Sequence, residues 1–278
     1  MAIDPTARVA AGARIGEAVE IGPYCLVGPQ VELQRGVRLI AHVNMTGVTT
    51  VGEDTVVYPF SSLGTPPQSV HYRGGPTKLV IGAKCDLRES VTMNTGTEAG
   101  GGITRVGDRC SFMVGCHVGH DCHVGNDVTF ANNVVLGGHV SVDDHTFLGG
   151  HVAIHQFVRI GEGAMMAGMS AARDDIIPFG FALGQTGALV GLNIVGLRRR
   201  SITRSQMHNL RRAYRSLFFV DGRLADRIEA VARDFAGDPF VGKIVAFVRA
   251  GGKRPLMRPR VRRGAEASNG GEDAQEQR

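Results

Sequence analysis

One apolar residue in every six constrains this 278-residue chain more than any other feature. Counting in sixes from Ile3 gives Val9, Ile15, Ile21, Val27, Leu33, Leu39, Met45, Val51, Val57 and Leu63, all apolar. A second run, shifted by one residue in phase, holds Val106, Phe112, Val118, Val124, Phe130, Leu136, Val142, Leu148, Ile154, Ile160 and Met166. Glycine often follows the slot, as at Gly16, Gly22, Gly28, Gly52 and Gly64. An amphipathic helix repeats its apolar positions every ~3.6 residues and a half-buried strand every second one, so neither explains one slot in six. A short strand plus a tight corner does. Three such units to a turn predict a triangular parallel β-helix whose slot residues stack about 18 positions apart.

Two interruptions break the count. Positions 69 and 75 hold Ser69 and Gly75 within "GTPPQSVHYRGGPTK" (64–78), before Ile81, Leu87 and Met93 resume the first phase, which predicts an excursion near 64–80. "NTGTEAGGGITR" (94–105) shifts the phase by one and predicts a loop extruded from a corner. Loops on a rigid scaffold are frequent carriers of function. The repeat fails after about residue 190, where Ile202, Leu210, Tyr214, Leu217 and Phe218, then Leu224, Ile228, Val231 and Phe235, take helical spacing. The expected organisation is a β-helix over 1–190, a C-terminal helical domain over 191–262 with two or three helices between about 201 and 250, and a disordered polar tail over 263–278.

Composition excludes several classes. The 39 glycines and the absence of Trp fit small repeated units rather than large aromatic anchors. No long uncharged apolar run occurs, and "MAIDPTARVAAG" lacks the profile of a secretory signal, so no integral membrane segment and a cytoplasmic protein are expected. Cys25, Cys85, Cys110, Cys116 and Cys122 form no CxxC pair and are expected to be reduced. The net charge of +5 is concentrated in 196–216 and 251–263, which suits a solvated face, an acidic protein partner or a phosphorylated ligand. Without aromatic interleaving, nucleic acid is not an expected partner.

"GCHVGHDCHVGNDV" (115–128) concentrates histidine, cysteine and aspartate. Cys110, Cys116 and Cys122 each stand two before a slot, where a small buried thiol fills a corner. His117 and His123 hold equivalent places in successive units and diverge, as do His139, His145 and His151, which weakens a zinc site within one chain. Stacking instead brings His120 near Gly138 and His139, and His117 beside Val135. His120-Asp121 then offers an imidazole oriented by a carboxylate for general-base work, and Gly138 could offer a backbone N–H to an oxyanion. As a bare pattern, the pair leaves packing open.

Across almost its whole length the chain resembles the bacterial UDP-N-acetylglucosamine O-acyltransferases that begin lipid A synthesis. The resemblance is carried by "IGPYCLVGP" (21–29), "RESVTMNTGT" (88–97), "GHDCHVGN" (119–126), "GGHVSVDD" (137–144), "HQFVRIG" (155–161) and "GLNIVGLRRR" (191–200). It implies a mainly β protein, a left-handed triangular parallel β-helix of hexapeptide repeats followed by a small α-helical domain. It also implies a homotrimer with active sites between subunits. The donor would be the phosphopantetheine arm of acyl carrier protein, the acceptor a UDP-sugar, with no metal and no permanently bound cofactor.

By the same resemblance His120 is the base, Asp121 its orienter and the Gly138 amide the oxyanion donor. His117, His139, His155 and Gln156 line the acceptor site and pantetheine path, and Asn193 and Arg199 bind nucleotide. Arg198, Arg200 and Arg204 face the carrier protein, while Gly168 and Thr186 bound the acyl groove, Gly168 admitting a long 3-hydroxyacyl chain. The excursion supplies Gln68, Ser69, His71 and Tyr72 to the sugar. Ser69 and His71 depart from the family's carboxylate and lysine, Val195 from a commonly acidic residue, and Thr186 from a histidine that often helps bound the acyl tail. Loss of that carboxylate suits a neutral amine acceptor, so a 3-amino sugar stands beside the 3-hydroxyl sugar as acceptor. A metal-dependent carbonic anhydrase-like hexapeptide protein and a silent scaffold are the rival readings.

Overall fold

A computed structural model describes residues 2–259. The tail at 263–278 lies outside the described residues. Short strands form three sheets of eleven, nine and eight strands among those residues, each sheet one face of a triangular prism. The first face carries the slot residues Leu87, Phe112, Phe130, Leu148 and Met166, the second Met93, Val118, Leu136 and Ile154, and the third Ile81, Val106, Val124, Val142 and Ile160. Slot residues from Ile21 onward are almost wholly buried and form one continuous core. Each contributes about 1.5–3 kcal/mol by leaving water. The chain is a left-handed β-helix with a small helical domain, as the hexapeptide count and the resemblance together lead one to expect.

Register explains both interruptions. Along the regular coils partners are 18 residues apart, as for Val118↔Leu136, shortening to 16 at the last coil, as for Met166↔Ala182. Across the first excursion Val51 pairs with Ile81, so twelve extra residues are looped out, two whole hexapeptides, and the phase survives. Across the second, Ile81 pairs with Val106, leaving seven extra residues, so the phase advances by one. The strands Ser62–Thr65 and Lys78–Ile81 flank the first loop, and Thr92–Asn94 and Ile103–Val106 the second, so both loops are shorter than the sequence pattern suggests. Both leave the corner between the second and third faces.

Corner residues take the left-handed conformation without being glycine, including Asp121 (φ 58°), His139 (φ 62°) and Phe157 (φ 67°). Such a conformation is disfavoured for an L-residue. Here the amide of each corner is used by the coil before it: His139 N–H donates to the His120 carbonyl at 2.9 Å and Phe157 N–H to that of Gly138 at 3.2 Å.

The stack ends in an antiparallel hairpin, Gly180–Leu183 with Ala188–Leu192. Four helices follow among the described residues: α1 (Ile194–Arg199), then α2 (Arg204–Phe218), α3 (Leu224–Asp234) and α4 (Pro239–Ala250), the last three in the stretch of helical spacing. Helix α1 is too short to show an apolar period, which is why its sequence gave no helical signal. Thr203 and Gln206 cap α2 reciprocally, and Asp238 accepts from the Phe240 and Val241 amides at the start of α4. After α4 the chain returns to the prism, where Asp175 N–H donates to the Pro255 carbonyl and Met257 N–H to that of Asp175, both at 2.8 Å. The buried Asp175 carboxylate is paired with Arg159 at 2.7 Å. No helix among the described residues is long and apolar enough to cross a membrane.

Phe130 is fully buried and meets Phe112 edge-on, with ring centroids 4.8 Å apart. Phe130→Ala is expected to lower stability by about 3–5 kcal/mol through lost burial and a cavity, read from the urea midpoint.

Candidate active site

The corner between the second and third faces places His120, Gly138 and Gln156 in one column and Asp121, His139 and Phe157 in the next, each pair one coil apart. His120 Nδ1 lies 2.8 Å from Asp121 Oδ2, and its side chain is 12 % exposed. Asp121 is buried and doubly held by the second loop: Thr97 N–H donates to Oδ1 at 2.9 Å and Thr97 Oγ1 to Oδ2 at 2.6 Å. Its own amide donates to Thr104 Oγ1 at 2.9 Å. Burial pushes the Asp121 carboxyl upward, but the hydrogen bonds from Thr97 and His120 outweigh it and leave the group below the usual carboxylate range. An ionised carboxylate only accepts, so Nδ1 of His120 carries the proton and Nε2 keeps a lone pair.

His139 stands edge-on to His120 at 5.0 Å between centroids, and its other side stacks on Phe157 at 4.5 Å. Burial lowers the pKa of His139 against the opposing pull of Asp121, with His120 and Lys253 adding to the depression. Burial likewise lowers that of His117, whose Nδ1 is 2.8 Å from Thr92 Oγ1. His117 pairs in register with Val135, as stacking by 18 requires. Gly138 is buried beneath the imidazole: a Cβ there would stand 2.4 Å from Cε1 of His120. The Gly138 amide has no hydrogen-bond acceptor among the described residues.

His120, Asp121 and His139 also form a cluster whose ligand-type atoms lie within 4.8 Å of one another. Divergence holds for histidines six apart, but His120 and His139, on adjacent coils, converge. A cation here would compete with Thr97 and His120 for Asp121 Oδ2, which both already engage. Cys110, Cys116 and Cys122 are buried thiols, and burial drives Cys122 up to about 12.

The other nominated residues lie elsewhere on the chain. Gln68 and His71 are exposed and Ser69 and Tyr72 half-buried on the first loop; Tyr72 Oη donates to the Gly75 carbonyl at 3.2 Å. That loop is moored to the second by Glu98 Oε1, which accepts from Gly75 N–H at 2.6 Å and Arg73 N–H at 3.3 Å. None of these four residues hydrogen-bonds His120. Asn193 and Arg199 border a cavity of about 430 Å³ on the edge between the third and first faces, with Val195, His145 and Phe179. Asn193 is spent as the cap of α1, accepting from Gly196 N–H at 2.9 Å and donating to the Gly163 carbonyl at 3.0 Å.

Arg200 differs from expectation. It turns inward, paired with Glu162, which Lys243 also engages, and lying over Phe179, whereas Arg198 and Arg204 are exposed. Gly168 sits at the third edge, between the first and second faces, with Gly150 O 3.1 Å from the position of a Cβ, and Thr186 is exposed in the hairpin turn. One chain therefore brings together His117, His120, Asp121, Gly138, His139, His155 and Gln156 on one edge, and leaves Asn193, Arg199, Gly168 and Thr186 on others. Thr97 and Thr104 escaped the sequence reading, because only coil register carries a threonine of the loop to the carboxylate.

Residues 175–257 match the family described as Udp N-acetylglucosamine O-acyltransferase, Domain 2, and residues 103–138 the bacterial transferase hexapeptide family. The acyl-[acyl-carrier-protein]–UDP-N-acetylglucosamine O-acyltransferase of Azorhizobium caulinodans is 58 % identical over 92 % of this chain and 95 % of its own. The chain belongs to the UDP-N-acetylglucosamine O-acyltransferase family. Within this acyltransferase family the protein of the same name from Rhizobium rhizogenes is 47 % identical over 85 % of this chain and 87 % of its own. The solved LpxA of Acinetobacter baumannii superposes with a TM-score of 0.90 at 33 % identity, covering 92 % of this acyltransferase and 99 % of that chain. The UDP-N-acetylglucosamine acyltransferase of Campylobacter jejuni gives 0.87 at 36 % identity, covering 93 % and 100 %.

Gly138→Ala should keep the fold while displacing the His120 ring, visible as a shifted imidazole resonance with little change in urea midpoint. The Asp121 carboxyl, depressed in the fold, contributes stability that is complete above its unfolded value near about pH 4 and drains away as pH falls through the lower folded value. The stability gap between wild type and Asp121→Asn is therefore expected to be constant from about pH 5 to 7 and to narrow below about pH 4.

Proposed function

We propose that this acyltransferase moves a 3-hydroxyacyl chain from the phosphopantetheine thiol of acyl carrier protein to the 3-hydroxyl of UDP-N-acetylglucosamine, the first step of lipid A synthesis. The observation that carries the reading is the His120 imidazole, held by Asp121 over Gly138, with neither its Nε2 nor the Gly138 amide paired among the described residues. Its support from relatives is their shared name as O-acyltransferases.

In this reading Nε2 of His120 removes the hydroxyl proton as the sugar oxygen attacks the thioester carbonyl. Negative charge passes to the carbonyl oxygen, where the Gly138 N–H stabilises it. The C–O bond of the ester forms, the C–S bond breaks, and the imidazolium returns its proton to the departing thiolate. Asp121 keeps the imidazole in the required tautomer and favours its charged form. His117 and His139, kept neutral at physiological pH by burial, line the acceptor without repelling the imidazolium.

Asn193 and Arg199 lie on a different edge of the prism from His120, so a complete site requires two copies of the chain side by side. That separation supports the homotrimer with sites between subunits, the first loop reaching the sugar and the exposed Arg198 and Arg204 meeting the acidic carrier protein. Gly168 leaves the acyl groove open for a long chain.

The product decides the acceptor. Incubation with 3-hydroxyacyl carrier protein and UDP-N-acetylglucosamine is expected to give an ester by mass spectrometry; an amide from the 3-amino analogue alone would transfer the assignment to the amino sugar, with Ser69 and His71 as the determinants. His120→Ala should lose roughly 10² to 10⁴-fold in kcat while remaining folded, and Asp121→Asn, by inverting the tautomer, up to about 10⁴-fold. Exhaustive chelation should leave wild-type turnover unchanged; proportional loss with the metal removed would restore the hydratase-like reading.

A further inference from the structure

The segment following α4 reaches the edge that carries His120. Arg254 Nε donates to the Gln156 carbonyl at 2.9 Å, and its Nη2 lies 2.7 Å from Nδ1 of His155. Beside it Lys253 Nζ stands 4.1 Å from the centroid of Phe157, the ring on which His139 is stacked. A guanidinium has donors only and stays charged, so Nδ1 of His155 must supply a lone pair. The same Nδ1 also lies 3.3 Å from the Gln156 carbonyl, a contact that would need the opposite tautomer. The shorter, charge-assisted bond prevails. His155 then carries its proton on Nε2, which has no partner among the described residues, on an exposed side chain.

His120 and His155 thus share one edge in opposite tautomers. Asp121 gives His120 a free lone pair; Arg254 gives His155 a free N–H. The first is suited to accept a proton and the second to donate a hydrogen bond.

We propose that Arg254 is a positioning residue of the acyltransferase site, locking His155 as an Nε2–H donor to a phosphate oxygen of a substrate. The choice of phosphate rests on the proposed reaction and on charge: Lys253 and Arg254 make this end of the edge cationic, and both substrates carry phosphate, in the UDP moiety and in the carrier arm. The returning segment is on this account part of the binding site as well as a tie between domains.

The test uses the full-length protein labelled with ¹⁵N-histidine, with His155→Gln to assign the resonance. Wild type is expected to show His155 as the Nε2–H tautomer, and Arg254→Ala a mixture. In steady-state assays Arg254→Ala should raise the KM of one substrate about tenfold while kcat stays within about threefold; a rise for the UDP-sugar or for the acyl carrier identifies which phosphate is held. Arg254→Lys should recover part of that KM, because an ammonium still donates to Nδ1, and Arg254→Met serves if the alanine variant is unstable. An Nδ1–H tautomer in wild type, or unchanged KM for both substrates in Arg254→Ala, would overturn the proposal. Absence of acyl transfer by wild type would instead refute the proposed reaction, and the tautomer measurement would then judge Arg254 by itself.

Discussion

The prism depends on stacking an apolar side chain over another one coil away. That contact fixes the register, and register alone decides which surface residues become neighbours. Eighteen residues of chain separate Val118 from Leu136, yet the two are adjacent in the core, and the same step sets His120 over Gly138 and Asp121 beside His139. The candidate site has no local sequence of its own. It is a column cut across several turns, held by hydrophobic contacts inside the prism.

This is why so much was legible in the sequence. Slot counting located the coils, their corners and the loops, and from those the meeting of His120 with Gly138 and His139 followed by arithmetic. The burial of Cys110, Cys116 and Cys122 followed in the same way. What the count could not reach were contacts made by chain that has left the repeat. Thr97 sits in an extruded loop, and Lys253 and Arg254 follow a helical domain; only the closed structure returns them to the corner. The inward turn of Arg200 was hidden for a related reason, since in a run of three arginines nothing local reveals that one meets Glu162.

The carboxylate at the centre of the site shows how loop and scaffold divide their work. The coil supplies the left-handed corner that aims Asp121 at His120, and the loop supplies the two Thr97 donors that keep it ionised despite burial. Neither alone would suffice. A buried carboxylate without donors is driven toward its neutral form, and donors without the corner would meet a side chain pointing elsewhere.

Both loops leave and rejoin the stack at one corner, with twelve and seven residues looped out. A closed prism is indifferent to how much chain is paid out between two strands, provided the next apolar residue lands in its slot. Apart from anchors such as Thr97, which must still reach Asp121, loop length and content can therefore drift while His120, Asp121 and Gly138 stay fixed to the coil. In such an architecture the rim and the column can be altered by separate genetic events, one an insertion or deletion in a loop, the other a substitution in a coil.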